Sequence, residues 1–192
     1  MTSIVAEQKK VWTEDELAAL PDNGYNYELV DGELVMSPKN KFEHEFIVQR
    51  MMAAMLTHNS GKRLGVVLGS NLGCWMSNRN VRAPDISFIS FARIAEFEFK
   101  PKTRAFFPAA PDLAIEVVSE GNTRSEMTAR LRDFFSSGCR LAWIVDPFEE
   151  YVEVCRSPLD RTIIGAGGSL DGGDVFAGFA YPINDLFEAD WS

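Results

Sequence analysis

Two carboxylates stand in frames that otherwise read as strands: Asp85 in VRAPDISFI and Glu116 in PDLAIEVVS. Each abuts a run of Val, Ile, Leu and Phe of the kind that forms a buried or half-buried strand. An unpaired buried carboxylate is costly, so each needs a hydrogen-bonded partner, a cation or a metal ion. Brought side by side, two such acids make a hard-oxygen site for Mg²⁺ or Mn²⁺, and the chemistry that such a cation supports is phosphodiester hydrolysis. The competing reading is structural: the two acids cap strand ends and pair with arginines such as Arg82.

Composition narrows the choice. The chain has 192 residues, 46% of them hydrophobic and 24% charged, which suits one domain with a full core. No apolar run approaches a membrane span, and MTSIVAEQKKVW lacks the basic head and apolar stretch of a secretory signal. Cys74, Cys139 and Cys155 are odd in number and widely spaced, so they read as core residues in a reducing cytoplasm. With only His44 and His58, a multi-histidine metal cage is excluded. A net charge of −9 argues against a general nucleic-acid binder. It leaves room for a local basic cleft built from Lys62-Arg63, Arg79, Arg82, residues 100–104, or Arg124, Arg130, Arg132 and Arg140.

The elements that must position these residues follow from pattern. Residues 12–20 read as a short helix with Thr13 and Glu16 as a capping box. Residues 27–30 and 33–36 form a hairpin about Asp31-Gly32, and Pro21-Asp22-Asn23-Gly24 separates it from the helix. Phe42, Phe46, Ile47, Met51, Met55 and Leu56 define a helix over 42–58. Two short strands are expected within 61–75, and one strand over 81–90 carries Asp85. Residues 94–107, with interleaved aromatic and basic side chains, read as a mobile surface loop with room for a helical turn, which covers the core or, as the alternative, contacts nucleic acid. Residues 113–119 read as a central strand. A helix over 124–137 follows with Gly138 as its cap, then a strand over 141–145 and an antiparallel layer. Gly172-Gly173 and Gly178 are turn residues, since no phosphate-loop Gly-Lys-Ser/Thr follows them. The order is that of a mixed α+β or α/β sheet with helices packed on it.

Taken together, YELVDGELVMSP with a following His44, then VRAPDISFI, PDLAIEVVS, a helix leading to GCRLAWIVDP, and DVFAGFAYPINDLF resemble the restriction endonuclease-like (Uma-two) family of the PD-(D/E)XK nuclease superfamily. The resemblance implies an α/β (α+β) fold: an αβββαβ mixed-sheet core flanked by helices, with an additional antiparallel hairpin layer. It implies a single domain over 1–192, with the N-terminal helix and hairpin in 12–37, the core in about 41–146 and a β-rich extension in 150–192. It further implies a cytoplasmic, Mg²⁺-dependent endonuclease (Mn²⁺ as the alternative ion) in which a metal-bound water attacks a DNA phosphodiester. Asp85 and Glu116 would ligate the ion with the Val117 carbonyl, Glu28 would complete the shell, and His44 would help position the site. A homodimer suits a double-strand cut, and Val175, Phe176, Phe179 and Tyr181 look exposed enough to pair between subunits.

Two positions depart from the family pattern. The usual lysine two residues after the glutamate is Val118, and the cation moved to the next helix matches Arg130. Arginine keeps the charge and grips phosphate bidentately but cannot act as a base. The usual Ser-Pro-Ser is Ser119-Glu120-Gly121, which places a carboxylate near an incoming phosphate. These departures support a second reading, a catalytically degenerate nuclease fold that binds nucleic acid or protein.

Overall fold

The computed structural model describes residues 10–21, 23–38 and 41–188; of the expected turn between the first helix and the hairpin, Asp22 lies outside these. The first helix is α1 (Glu14–Ala18), and its capping box forms between Thr13 and Glu16. Next come β1 (Tyr25–Val30) and β2 (Glu33–Pro38), paired antiparallel. Asp31 (φ 51°) and Gly32 (φ 81°) both take positive φ, the turn whose twist matches the two strands it joins.

Helix α2 (Phe42–Lys62) runs beyond the expected 42–58. It buries His44, Ile47, Val48, Met51 and Met55 along one side. Its end is closed locally: Arg63 turns left-handed, and the Asn59 side chain bonds the Leu64 N–H and the Gly65 carbonyl at 3.0 and 2.9 Å. Then follow β3 (Gly65–Gly69), β4 (Cys74–Trp75), β5 (Val81–Arg82), β6 (Ile86–Ser90), α3 (Phe91–Glu96), β7 (Leu113–Val117), α4 (Arg124–Ser136) and β8 (Leu141–Asp146). The chain closes with β9 (Tyr151–Cys155), β10 (Arg161–Ile164), β11 (Ser169–Asp171), β12 (Ala180–Pro182) and α5 (Ile183–Phe187).

The expected strand over 81–90 is two strands in two sheets. Pro84 offers no N–H to a ladder, and the chain leaves the sheet of order β2-β1-β5-β4 to enter the sheet of order β10-β9-β8-β7-β6-β3. Asp85 occupies the bend between them. In the six-stranded sheet only β7 and β8 pair in parallel. The series α2, β3, β6, β7, α4, β8 is the expected αβββαβ core, and the hairpin sheet is the additional layer.

Alternation along β7 and β8 sorts the two faces of the large sheet. Leu113, Ile115, Val117, Leu141, Trp143 and Val145 join the core beneath α2, while Ala114, Ala142 and Ile144 join the core containing Met127, Leu131 and Phe134 of α4. The same alternation turns Glu116 toward α4. The three cysteines are buried free thiols within the α4-side core.

Residues 94–107 run over the surface and cover the core: their first residues close α3, and Phe97 and Phe99 set their rings edge-on against fully buried Phe107. One expectation about the later segment is corrected. Val175, Phe176 and Phe179 are buried, not exposed; Phe176 packs 4.5 Å from Phe88 and Phe179 lies 5.8 Å from Trp143, ring centre to ring centre. The open α2-side face of the sheet draws this apolar segment inward, so Val175, Phe176 and Phe179 are not available for contact between subunits, while Tyr181 stays half-buried. Among the described residues no helix is long and apolar enough to cross a membrane.

Candidate active site

Register brings the two carboxylates together. Strands β6 and β7 run antiparallel with Ile86 opposite Ile115, so one further step sets Asp85 opposite Glu116 at the end of the shared ladder. The Asp85 Oδ2 atom accepts the Val117 N–H at 2.8 Å and lies 3.1 Å from His44 Nε2. The hairpin supplies Glu28 in the same way: Leu29 faces Val81 across β1 and β5, which carries Glu28 alongside Arg82.

Around these acids lies a buried charge network. Arg130, from α4, donates to Glu28 Oε1 and Oε2 at 2.8 Å each and to Glu116 Oε1 at 3.0 Å. Arg82 donates to Glu28 Oε2 at 3.2 Å and to Asp133 Oδ2 at 2.7 Å. The Ala83 N–H adds a third donor to Glu28, at 2.9 Å. Asp133 is completed by Asn78 at 2.7 Å and Asn80 at 3.0 Å. Glu28, Arg82, Glu116 and Asp133 are all less than a tenth exposed. Charge-assisted bonds of this density make such burial tolerable.

Two groups titrate away from their ordinary values. Burial pushes the Glu116 carboxyl up to about 8; Arg130 opposes the rise, and the charges of Asp85 and Glu28 reinforce it. For His44 burial disfavours the imidazolium, but the Asp85 carboxylate outweighs it, with smaller contributions from Glu45 and the Val117 backbone, and the net shift is upward. Among the described residues His44 Nδ1 is buried without a hydrogen-bond partner and lies 3.8 Å from Glu45 Oε1.

The sequence-predicted residues therefore converge, although with different tasks. Asp85, Glu116, Glu28, Arg130, His44 and Val117 form one connected constellation. Asp85 Oδ1 and Glu116 Oε2 accept no hydrogen bond from the described residues, and two open carboxylate oxygens are the donors that Mg²⁺ takes, together with waters and substrate phosphate. That donor set fits a hard divalent cation. Glu28 does not fit the ligand role expected for it, because two guanidiniums and a backbone N–H occupy both its oxygens. Among the described residues no group of three or more His, Cys, Asp or Glu side chains is arranged to hold a metal ion, and the engagement of Glu28 is one physical reason.

Sequence reasoning missed Asp133, Asn78 and Asn80, and treated Arg82 only as a generic partner. A signal existed for Asp133: it lies three residues after Arg130 on α4, so the two project from neighbouring positions of one helix face.

The model of a family described as "Putative restriction endonuclease" (Uma2) matches residues 14–184. The crystal structure of a putative nuclease belonging to DUF820 from Anabaena variabilis ATCC 29413 superposes with a TM-score of 0.78 at 21% identity, covering 92% of this chain and 98% of that one. At that identity the likeness establishes the fold. No curated protein matches the chain.

Proposed function

The chain belongs to the Uma2 family of restriction endonuclease-like proteins, and from that premise we propose that it is a Mg²⁺-dependent endonuclease hydrolysing DNA phosphodiester bonds. The observation that carries the reading is the placement of Asp85 opposite Glu116, each with an open oxygen, where β6 and β7 part. When bound there, a hard divalent cation lowers the pKa of a coordinated water and neutralises phosphate charge.

The remaining work falls to the chain's own residues. Val117 N–H and His44 hold Asp85 Oδ2, which leaves Oδ1 to face the ion. Arg130 holds Glu116 Oε1, leaving Oε2 for the same purpose. Glu28 fixes Arg130 from the other side and so acts as a positioning residue. Arg130 takes the place of the expected lysine in charge, but as a clamp between two carboxylates; its lasting protonation bars it from accepting a proton. Cutting both strands of a duplex calls for two such sites, so the working form is a homodimer, measurable by light scattering.

One observation favours the second reading, a degenerate binding module. Both guanidiniums of the site are committed to internal carboxylates, and Glu120 at the rim is paired with Lys41. Calorimetric titration separates the two. The nuclease reading expects Mg²⁺ or Mn²⁺ to bind the wild-type protein at millimolar concentrations or below, and Asp85→Asn to weaken binding by at least tenfold. Equal heats from both proteins would remove the metal site.

A further inference from the structure

An open cleft of about 400 Å³ lies on the hairpin-sheet side of the molecule. It is lined by Trp12 just before α1, Glu14 at the start of α1, Trp75 of β4, Arg79 of the following turn, and Arg104 and Pro108 of the segment before β7. This volume falls in the range of small-molecule sites, ~300–1,000 Å³.

The walls are held in place by bonds that leave the pocket itself open. Glu14 accepts Arg104 at 2.9 Å and the Ala105 N–H at 3.1 Å. The Trp75 N–H donates to the Phe107 carbonyl at 2.8 Å, and the Trp75 ring meets Phe106 edge-on at 6.3 Å. Both indoles are only half-buried. Lys10 Nζ stands 3.6 Å over the Trp12 ring and is itself paired with Glu16.

Arg79 is the feature with no structural explanation. It is exposed, and its guanidinium has no partner among the described residues. Its backbone is left-handed at φ 69°, a conformation that costs a non-glycine residue energy and recurs at functional sites. Its neighbours Asn78 and Asn80 are the residues that hold Asp133 of the carboxylate network. The turn presenting Arg79 is therefore braced against the candidate active site.

We propose that this cavity binds a nucleotide, its base against the Trp12 and Trp75 indoles and its phosphate on Arg79 and Arg104. Stacking on an aromatic face accepts any base, and arginine supplies the planar fork that phosphate needs. Glu14 is the one carboxylate in the lining, and Arg104 neutralises it. The source of the nucleotide is either an unpaired position of a DNA strand or a free mononucleotide. The former rests on the nuclease reading, because the strand would run from this pocket to Asp85 and Glu116.

The test is done on the full chain in EDTA, so that binding is read without cleavage. Tryptophan fluorescence is followed during titration with a short oligothymidylate, the same strand carrying abasic sites, thymidine monophosphate, and inorganic phosphate. The variants are Arg79→Asn, which retains a residue suited to positive φ, and Trp12→Leu, each checked for folding by circular dichroism. Quenching by the strand, with affinity reduced about tenfold in each variant and in the abasic strand, is the result expected from the worth of one stacked base. Quenching by the monophosphate alone, lost in the same variants, assigns the pocket to a free nucleotide. Unchanged affinity in both folded variants, or equal affinity for abasic and base-bearing strands, overturns the proposal. Binding without any metal-stimulated cleavage would thus reject the nuclease reading and leave the pocket standing, and the converse would reject the pocket alone.

Discussion

Arg82→Ala is expected to destabilise the protein by about 3–5 kcal/mol, the usual cost of removing one partner from a buried ion pair. Arg82 is 5% exposed and bridges Glu28 to Asp133. Without it, Asp133 keeps only two asparagine amides, and Glu28 loses one of its two cations. For a domain of this size each kcal/mol lowers Tm by ~2–4 °C, so thermal unfolding should shift down by roughly 6–20 °C. Asp133→Asn in the Arg82→Ala background should restore part of the loss, because it removes the charge left unpaired. A Tm within 2 °C of wild type for Arg82→Ala would mean that the network is solvated and carries no stability.

Glu116→Gln should have opposite effects on stability and on activity. The Glu116 carboxyl is raised from 4.5 to about 8 in the folded protein. Between those values the folded state holds a proton that the unfolded state has released. Stability therefore falls as pH rises through that window. Four carboxylates (Glu28, Asp85, Glu116 and Asp133) meet two guanidiniums here, and the neutral amide removes the charge whose burial is least compensated. In metal-free buffer Glu116→Gln should be more stable than wild type at pH 8 by something on the order of 1–3 kcal/mol, with the difference vanishing near pH 5. On the proposed metal site the same change removes a ligand oxygen and should reduce cleavage by two or more orders of magnitude. Urea unfolding at pH 5 and pH 8 checks the first part. A variant less stable than wild type at pH 8 would show that the Arg130 pair outweighs the burial of Glu116.

Much of this site was legible in the sequence because local rules set it. The Asp31-Gly32 turn fixes the hairpin and hence the height of Glu28. Thr13 with Glu16, and Thr123 with Glu126, mark where α1 and α4 begin. The acids at 85 and 116 betray themselves by interrupting apolar frames. The tasks were less legible than the positions. Glu28 and Arg130 are 102 residues apart and Arg82 and Asp133 are 51 apart, so their pairing is a property of how the hairpin sheet docks on α4. No periodicity within either segment encodes that docking. The same applies to Asp85, whose place in a bend depends on Pro84 switching the chain between two sheets. The apolar segment around Val175–Phe179 was misjudged for a related reason: alternation indicates which side chains share a face, and only tertiary packing decides whether that face is covered.

The most direct test of the central claim is cleavage of supercoiled and single-stranded DNA with Mg²⁺, and separately with Mn²⁺, comparing wild type with Asp85→Ala. Asp85 is partly exposed at a bend and outside the Arg82–Glu28–Asp133 network, so the variant should fold. The account predicts metal-stimulated cleavage by the wild type and its loss, by at least a hundredfold, in folded Asp85→Ala. Cleavage at the wild-type rate by that variant would contradict it.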